Sequence, residues 1–133
     1  MSDKTVAEKL LIRPETSVWF SHPDRASLVQ PLPDGVQVVA APRDATVALA
    51  FADDSGSIRA LLADRVADLR QPEILWVAYP KGGRADINRD TLWPILAEYA
   101  FRPVSQVAVD DTWSALRFRP LREGEAQFSG GRT

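Results

Sequence analysis

The chain has 133 residues, 45% of them hydrophobic and 26% charged, with a formal net charge of −2. That is one domain's worth of ordinary globular material, too apolar to stay disordered and too nearly neutral to recruit nucleic acid or an anionic membrane by its overall field. There is no cysteine, and His22 is the single histidine, which excludes disulfides, thiol catalysis, cysteine-bound metals and any one-chain site with several imidazoles.

No apolar run approaches the roughly 20 residues that span a bilayer. Met1-Ser2-Asp3-Lys4 lacks the basic-then-apolar layout of a secretory leader, so a cytoplasmic location is expected. Thr5-Val6-Ala7-Glu8 has the T-x-x-E spacing in which a hydroxyl and a carboxylate satisfy backbone donors reciprocally. A short helix is therefore expected from Thr5 to Ile12, stopped by Pro14. Ser17 to Ser21 reads as a first strand. A short helix follows it, with Ser21 as cap and Pro23 in the first turn, ended by Pro31 and Pro33. Asp34-Gly35 makes a turn.

Val36 to Ala41 and Thr46 to Phe51 read as the second and third strands, separated by Pro42-Arg43-Asp44. Both are nearly continuous apolar runs, the pattern of strands covered on two faces. The clearest helix starts at a Ser55 or Ser57 cap and runs to about Arg70. Ile58, Leu61, Leu62, Val66 and Leu69 share one stripe, while Arg59, Asp64, Arg65 and Asp68 face solvent. Gln71-Pro72 ends it.

Ile74 to Tyr79 is a fourth apolar strand, followed by a polar loop from Pro80 to Ala85. The next helix carries Ile87, Thr91, Leu92, Ile95, Leu96 and Tyr99 on one side. Its cap is Asp86, with Pro94 as a kink, or else Asp90, with Pro94 in the first turn. Val104 to Asp110 and Trp113 to Arg119 form a hairpin. Placing Asp110 opposite Trp113 sets Val107 against Leu116 and Ser105 against Phe118, which gathers the apolar residues on one face. From Glu123 to Thr133 the composition is that of a mobile tail, which leaves residues 1–122 as a single α/β domain.

Strands alternating with helices and ending in a hairpin predict an α/β fold. The expected architecture is a three-layer sandwich around a mostly parallel six-stranded sheet in the order 2-1-3-4-6-5, with strand 6 antiparallel. Leu75-Trp76-Val77-Ala78-Tyr79-Pro80-Lys81, then Asp86 and Asp90, then Asp110-Asp111-Thr112-Trp113-Ser114-Ala115-Leu116-Arg117-Phe118, resemble a bacterial family of small proteins known as domain of unknown function 3052. The likeness runs from about Ala7 to Arg119. It departs from the family pattern near Leu11 and Glu15, where glycines are expected. That family carries no settled activity, so the resemblance implies no reaction. More loosely, the layout is similar to a reduced S-adenosylmethionine-dependent methyltransferase, a Rossmann-like fold that also closes its sheet with an antiparallel hairpin; this is analogy of fold alone.

Ligands of open α/β sheets bind beyond the carboxyl ends of the strands, where the strand order reverses. On the expected topology that edge collects His22, Asp53, Asp54, Lys81, Arg84, Asp110, Asp111 and Trp113, with Arg43 added by the second strand. The turn after the first strand, Ser21 to Ser27, has no glycine to let a cofactor approach the backbone, and no Walker A motif is present, so no cofactor is expected. His22 is a candidate proton carrier or, more simply, a helix-start histidine that bonds a neighbouring backbone group. Lys81-Gly82-Gly83-Arg84 before a helix start is a candidate anion cradle, though Asp86 competes for the same helix end. Asp110-Asp111 is read as a turn former in preference to a cation site, so no metal is expected. Trp113 is a packing or a stacking residue. Arg117, Arg119 and Arg122 form a basic stretch too narrow for nucleic acid.

The leading expectation is a non-catalytic binding or regulatory module that recognises a small anionic ligand or a protein partner at the carboxyl edge. Two alternatives stand beside it. One is a methyltransferase-like enzyme with His22, Lys81 and Asp110 or Asp111 as acid–base groups. The other is a subunit that self-associates, as a homodimer for example, through the hairpin or helix faces.

Overall fold

The computed structural model describes residues 5–82, 86–122 and 124–125. Six strands hydrogen-bond into one sheet: β1 (Ser17–Phe20), β2 (Gln37–Val38), β3 (Val47–Phe51), β4 (Ile74–Pro80), β5 (Phe101–Ala108) and β6 (Trp113–Pro120). Their order is β2-β1-β3-β4-β6-β5. The first four run parallel, and β6 is inserted antiparallel between β4 and β5. The helices are α1 (Val6–Lys9), α2 (Ser55–Leu69) and α3 (Arg89–Ala97), with 3₁₀ helices at Pro23–Val29 and Pro42–Asp44.

Two apolar clusters sandwich the sheet. On one face Ala48, Ala50, Leu75, Val77, Leu116 and Phe118 pack under Ile58, Leu62 and Leu69 of α2 and Leu92, Ile95 and Leu96 of α3. On the other, Val47, Leu49, Phe51, Trp76 and Ala115 meet Ala7 and Leu10 near α1 and Val29 of the first 3₁₀ helix. All of β3 is buried, as its unbroken apolar run requires of a central strand. β2 is different: only Gln37 and Val38 are strand, and both are exposed. At the sheet edge it has a ladder on one side only, so the apolar run Val36–Ala41 does not extend as expected.

The α1 capping box forms as the Thr5 spacing predicts, with Glu8 N–H donating to Thr5 Oγ1 at 3.1 Å and Thr5 N–H to Glu8 Oε1 at 2.8 Å. The helix ends before Pro14, however. Leu11 turns left-handed at φ 66°, Leu11 N–H donates to Glu8 O, and Ile12 N–H donates to Ala7 O. That is a Schellman closure, with Ile12 and Ala7 buried as its apolar pair. Glu15 is left-handed too, at φ 62°. Both positions that depart from the expected glycines thus hold the backbone conformation that glycine adopts at least cost. Trp76 ties α1 to the sheet, its buried Nε1–H donating to Leu10 O at 2.8 Å.

Four further expectations are corrected. Ser21 caps nothing; His22 is the N-cap residue of the 3₁₀ helix, with no side-chain cap bond. The cap of α2 is Asp54, whose Oδ1 accepts from Ser57 N–H, and the cap of α3 is Asn88, with Pro94 inside that helix. The hairpin register is one residue away from the expected one, with Val107 opposite Ala115 and Gln106 opposite Leu116, and with an irregularity between Pro103 and Ser105. Since β6 carries buried residues on both sides, its apolar pattern does not select one register. Of the expected tail, Gly124 and Glu125 are described; 123 and 126–133 lie outside the described residues.

Candidate functional site

The carboxyl edge is built where β1, β3 and β4 end and the hairpin tip folds back beside them, Trp113 pairing with Pro80. Phe51, the last residue of β3, stands at the centre. The His22 and Trp113 rings meet it edge to face, at centroid separations of 5.8 and 5.3 Å. The Arg25 guanidinium lies 5.3 Å from the Phe51 ring and 5.2 Å from the Trp113 ring. Its fork donates to both oxygens of Asp53, at 2.8 and 3.1 Å. The aromatic walls fix the plane of the guanidinium, and the carboxylate fixes its rotation.

Ser21 joins the strand ends. Its Oγ accepts from Phe51 N–H at 2.8 Å and lies 2.8 Å from His22 Nδ1. The amide proton occupies one lone pair, so the hydroxyl proton is free to point at Nδ1 and leave Nε2 as the ring's donor. A serine–imidazole contact is thus present that the sequence reading did not foresee. It serves to hold the ring beside Phe51.

Acidic side chains complete the edge, and most of them are bound to the protein's own donors. Asp54 caps α2, and Asp86 accepts from Ser55 N–H at 2.8 Å and Ser55 Oγ at 2.6 Å. Bonds from the Ser55 hydroxyl and then its amide hold the Asp86 carboxyl below its ordinary value. Asp110 Oδ1 accepts from Thr112 N–H at 2.8 Å and Trp113 N–H at 2.7 Å, which is the turn-forming role weighed for it. Asp111 is exposed beside it. Lys81 N–H donates to Thr112 O at 2.8 Å, so the end of β4 is sewn to the hairpin tip.

Of the residues singled out from the sequence, His22, Asp53 and Trp113 meet around Phe51 and Arg25, while Lys81, Asp110 and Asp111 sit at the adjoining hairpin tip. Arg84 lies outside the described residues. Asp86 turns from its expected place on α3 to α2. Arg25 and Phe51 were missed: one sits in a short helix among polar residues and the other at the end of an apolar run, and only the sheet order brings them together. Among the described residues no three His, Cys, Asp or Glu groups are placed to hold a metal ion. Nor is any helix among them long and apolar enough to cross a membrane.

A cavity of about 510 Å³ opens at the opposite, amino edge, lined by Glu15, Thr16, Ser17, Asp34, Gly35, Gln37 and Thr46. Two of its hydroxyls are bound to the walls, Thr16 Oγ1 donating to Arg13 O at 2.6 Å and Ser17 Oγ to Asp44 O at 3.0 Å.

No family model and no curated protein sequence matches the chain. Solved structures do. A protein of the NADB-Rossmann superfamily from Streptococcus agalactiae superposes with a TM-score of 0.59 at 10% identity, over 95% of this chain and 72% of that one. Sp1610 of Streptococcus pneumoniae, a candidate tRNA (m1A22) methyltransferase, gives 0.57 at 11% identity, over 94% and 70%. An uncharacterized protein from Listeria monocytogenes serotype 4b gives 0.54 at 12% identity, over 97% and 72%. At such identities the likeness concerns the fold alone. With the sheet order above, it establishes that the chain has a Rossmann-like, methyltransferase-like α/β fold.

Proposed function

We propose that the protein is a non-catalytic recognition module, that its working surface is the carboxyl edge of the sheet, and that its partner is a protein face rich in lysine and arginine. One observation carries this reading. The place where an open α/β sheet takes its ligand is filled by the protein's own Arg25, clamped by Asp53 and flanked by Phe51 and Trp113. The glycine-free turn after β1 offers no close backbone approach. Asp54 and Asp86 already take amide donors from the start of α2, where a phosphate would bind.

Charge decides between an anion and a protein. Asp24, Asp53, Asp54, Asp86, Asp110 and Asp111 lie on the segments that follow β1, β3 and β4 and on the hairpin tip, with Arg25 and Lys81 among them, and Arg25 is matched by Asp53. A small anion meets net repulsion there; a basic protein face meets attraction. Arginine and tryptophan at the centre of such a patch are the types that most often dominate protein–protein binding.

We further infer membership of the domain of unknown function 3052 family. The two segments that carry the resemblance are β4 and β6 with its turn, which pair side by side and end at this edge.

A second reading, a reduced S-adenosylmethionine-dependent methyltransferase, draws on the fold shared with Sp1610. In it His22, Lys81 and Asp110 or Asp111 act as acid–base groups. Thermal-shift titration separates the two, since a ligand at a hundred times its Kd adds about 2.7 kcal/mol. Millimolar S-adenosylmethionine is expected to leave the transition unmoved; a clear rise overturns the recognition reading in favour of the enzyme. In parallel, cross-linking capture of a partner is expected to be salt-sensitive, to be lost in Trp113→Ala, and to persist in Arg59→Ala.

A further inference from the structure

The basic stretch at the end of β6 is not used by the carboxyl edge. The register sets Arg102 of β5 directly opposite Arg119 of β6, and Arg117 opposite Ser105 one step along. Side chains two apart on a strand share a face, so Arg117 and Arg119 project together with Arg102. Like charges directly opposite repel, and such a cluster calls for an anion.

Glu125 supplies one. Its Oε1 accepts from Arg119 Nη1 and from the Arg122 N–H, both at 2.9 Å. Its Oε2 accepts from Arg119 Nη2 at 2.6 Å and Arg102 Nη1 at 2.9 Å. Two guanidinium groups and a backbone N–H around one oxyanion are the donor set with which proteins bind carboxylates and phosphates.

Two observations separate this from an ordinary structural ion pair. Glu125 stands on a turn beyond the last strand, closed by its own N–H on Arg122 O at 2.9 Å, so the occupant is not part of the sheet that forms the site. Moreover, Arg117 Nε is buried with no hydrogen-bond partner among the described residues. A buried charged donor left unpaired is costly, and it points to an acceptor that the carboxylate does not provide. Both Glu125 oxygens already serve other donors. A phosphate monoester brings three terminal oxygens and close to two negative charges.

We infer that Arg102, Arg117 and Arg119 form a binding site for a small phosphate monoester, and that Glu125 closes it as an internal competitor. The phosphate displaces the carboxylate, takes over the Arg102 and Arg119 forks, and supplies the acceptor that Arg117 lacks. Apparent affinity is then the intrinsic affinity reduced by the fraction of molecules in which Glu125 has left.

The test titrates phenyl phosphate and inorganic phosphate into the full chain at low salt, followed by calorimetry. Glu125→Gln is expected to bind both at least tenfold more tightly than the parent. The gain should vanish when Glu125→Gln is combined with Arg119→Ala or Arg119→Lys, the lysine keeping the charge without the fork. It should survive the combination with Arg59→Ala, which removes a positive charge elsewhere. Equal affinity in the parent and Glu125→Gln overturns the proposal, as does a gain that survives both Arg119 changes or that Arg59→Ala erases. Circular dichroism of each variant confirms folding; if the alanine protein is unfolded, the lysine protein decides.

Discussion

Arg25, in the 3₁₀ helix after β1, and Asp53, just past β3, close a two-pronged ion pair over the rim of the sheet, at 2.8 and 3.1 Å. The pair joins the 3₁₀ helix after β1 to the loop that starts α2, and it does so between two aromatic rings. Side-chain exposures of 26% and 45% keep it within reach of water, so its electrostatic share is modest. With the ring contacts included, Arg25→Ala is expected to cost about 1 kcal/mol in urea denaturation. Arg25→Lys keeps the charge but not the fork or the planar stacking, so it should recover less than half of that. Full recovery by lysine would show that geometry at this site is unimportant.

The start of α2 carries two carboxylates of different origin. Asp54 is a local cap, bonding Ser57 N–H at 2.7 Å, and Asp54→Ala is expected to destabilise by about 1 kcal/mol. Asp86 reaches the same end from across the fold, through Ser55. Asp86→Asn is expected to lower the Tm, and by less in a Ser55→Ala background, because the change then removes a bond already halved. Equal losses in the two backgrounds would mean that the hydroxyl contact contributes nothing.

Leu11 is 40% exposed and left-handed. Leu11→Gly relieves the cost of that conformation for a branched side chain and loses little packing, against a smaller entropic penalty in the unfolded chain. A gain of up to about 1 kcal/mol is expected, measured by denaturation. A loss would show that the Leu11 side chain contributes packing beyond what its exposure allows.

Glu125 sets a pH dependence. Hydrogen bonds from Arg119, then from the Arg122 amide, push its carboxyl well below the ordinary carboxylate range. The folded form therefore holds its charge where the unfolded chain, with a glutamate near about 4.3, takes up a proton. The contribution of the contact is full at neutral pH and is lost as pH falls below the unfolded value toward the folded one. The Tm difference between the parent and Glu125→Gln should accordingly be largest at pH 7 and shrink on acidification. A difference that stays constant down to pH 3 would place the effect in packing.

How far the sequence reaches is seen best by setting these residues side by side. The Thr5 cap spans three residues, and its partner Glu8 lies within one helical turn, so local chemistry alone decides it. The burial of β3 follows from an unbroken apolar run, and the strand order follows from alternation of elements with short right-handed connections. Those features belong to neighbours along the chain. The cap that Asp86 provides to α2 does not: Ser55 lies 31 residues away, and nothing near Asp86 distinguishes it from a cap of its own helix. The expected hairpin register was one residue off because β6 is buried on both faces, so its apolar pattern fits more than one pairing and the tip geometry of Asp110 sets the one adopted. Likewise the pairing of Arg25 with Asp53, and of Arg102 and Arg119 with Glu125, exists only after the sheet has closed. Periodicity and turn chemistry by themselves determined the architecture and placed His22, Asp53 and Trp113 at a common edge. Which charges meet there was decided by distances between strands, which no spacing along the chain encodes.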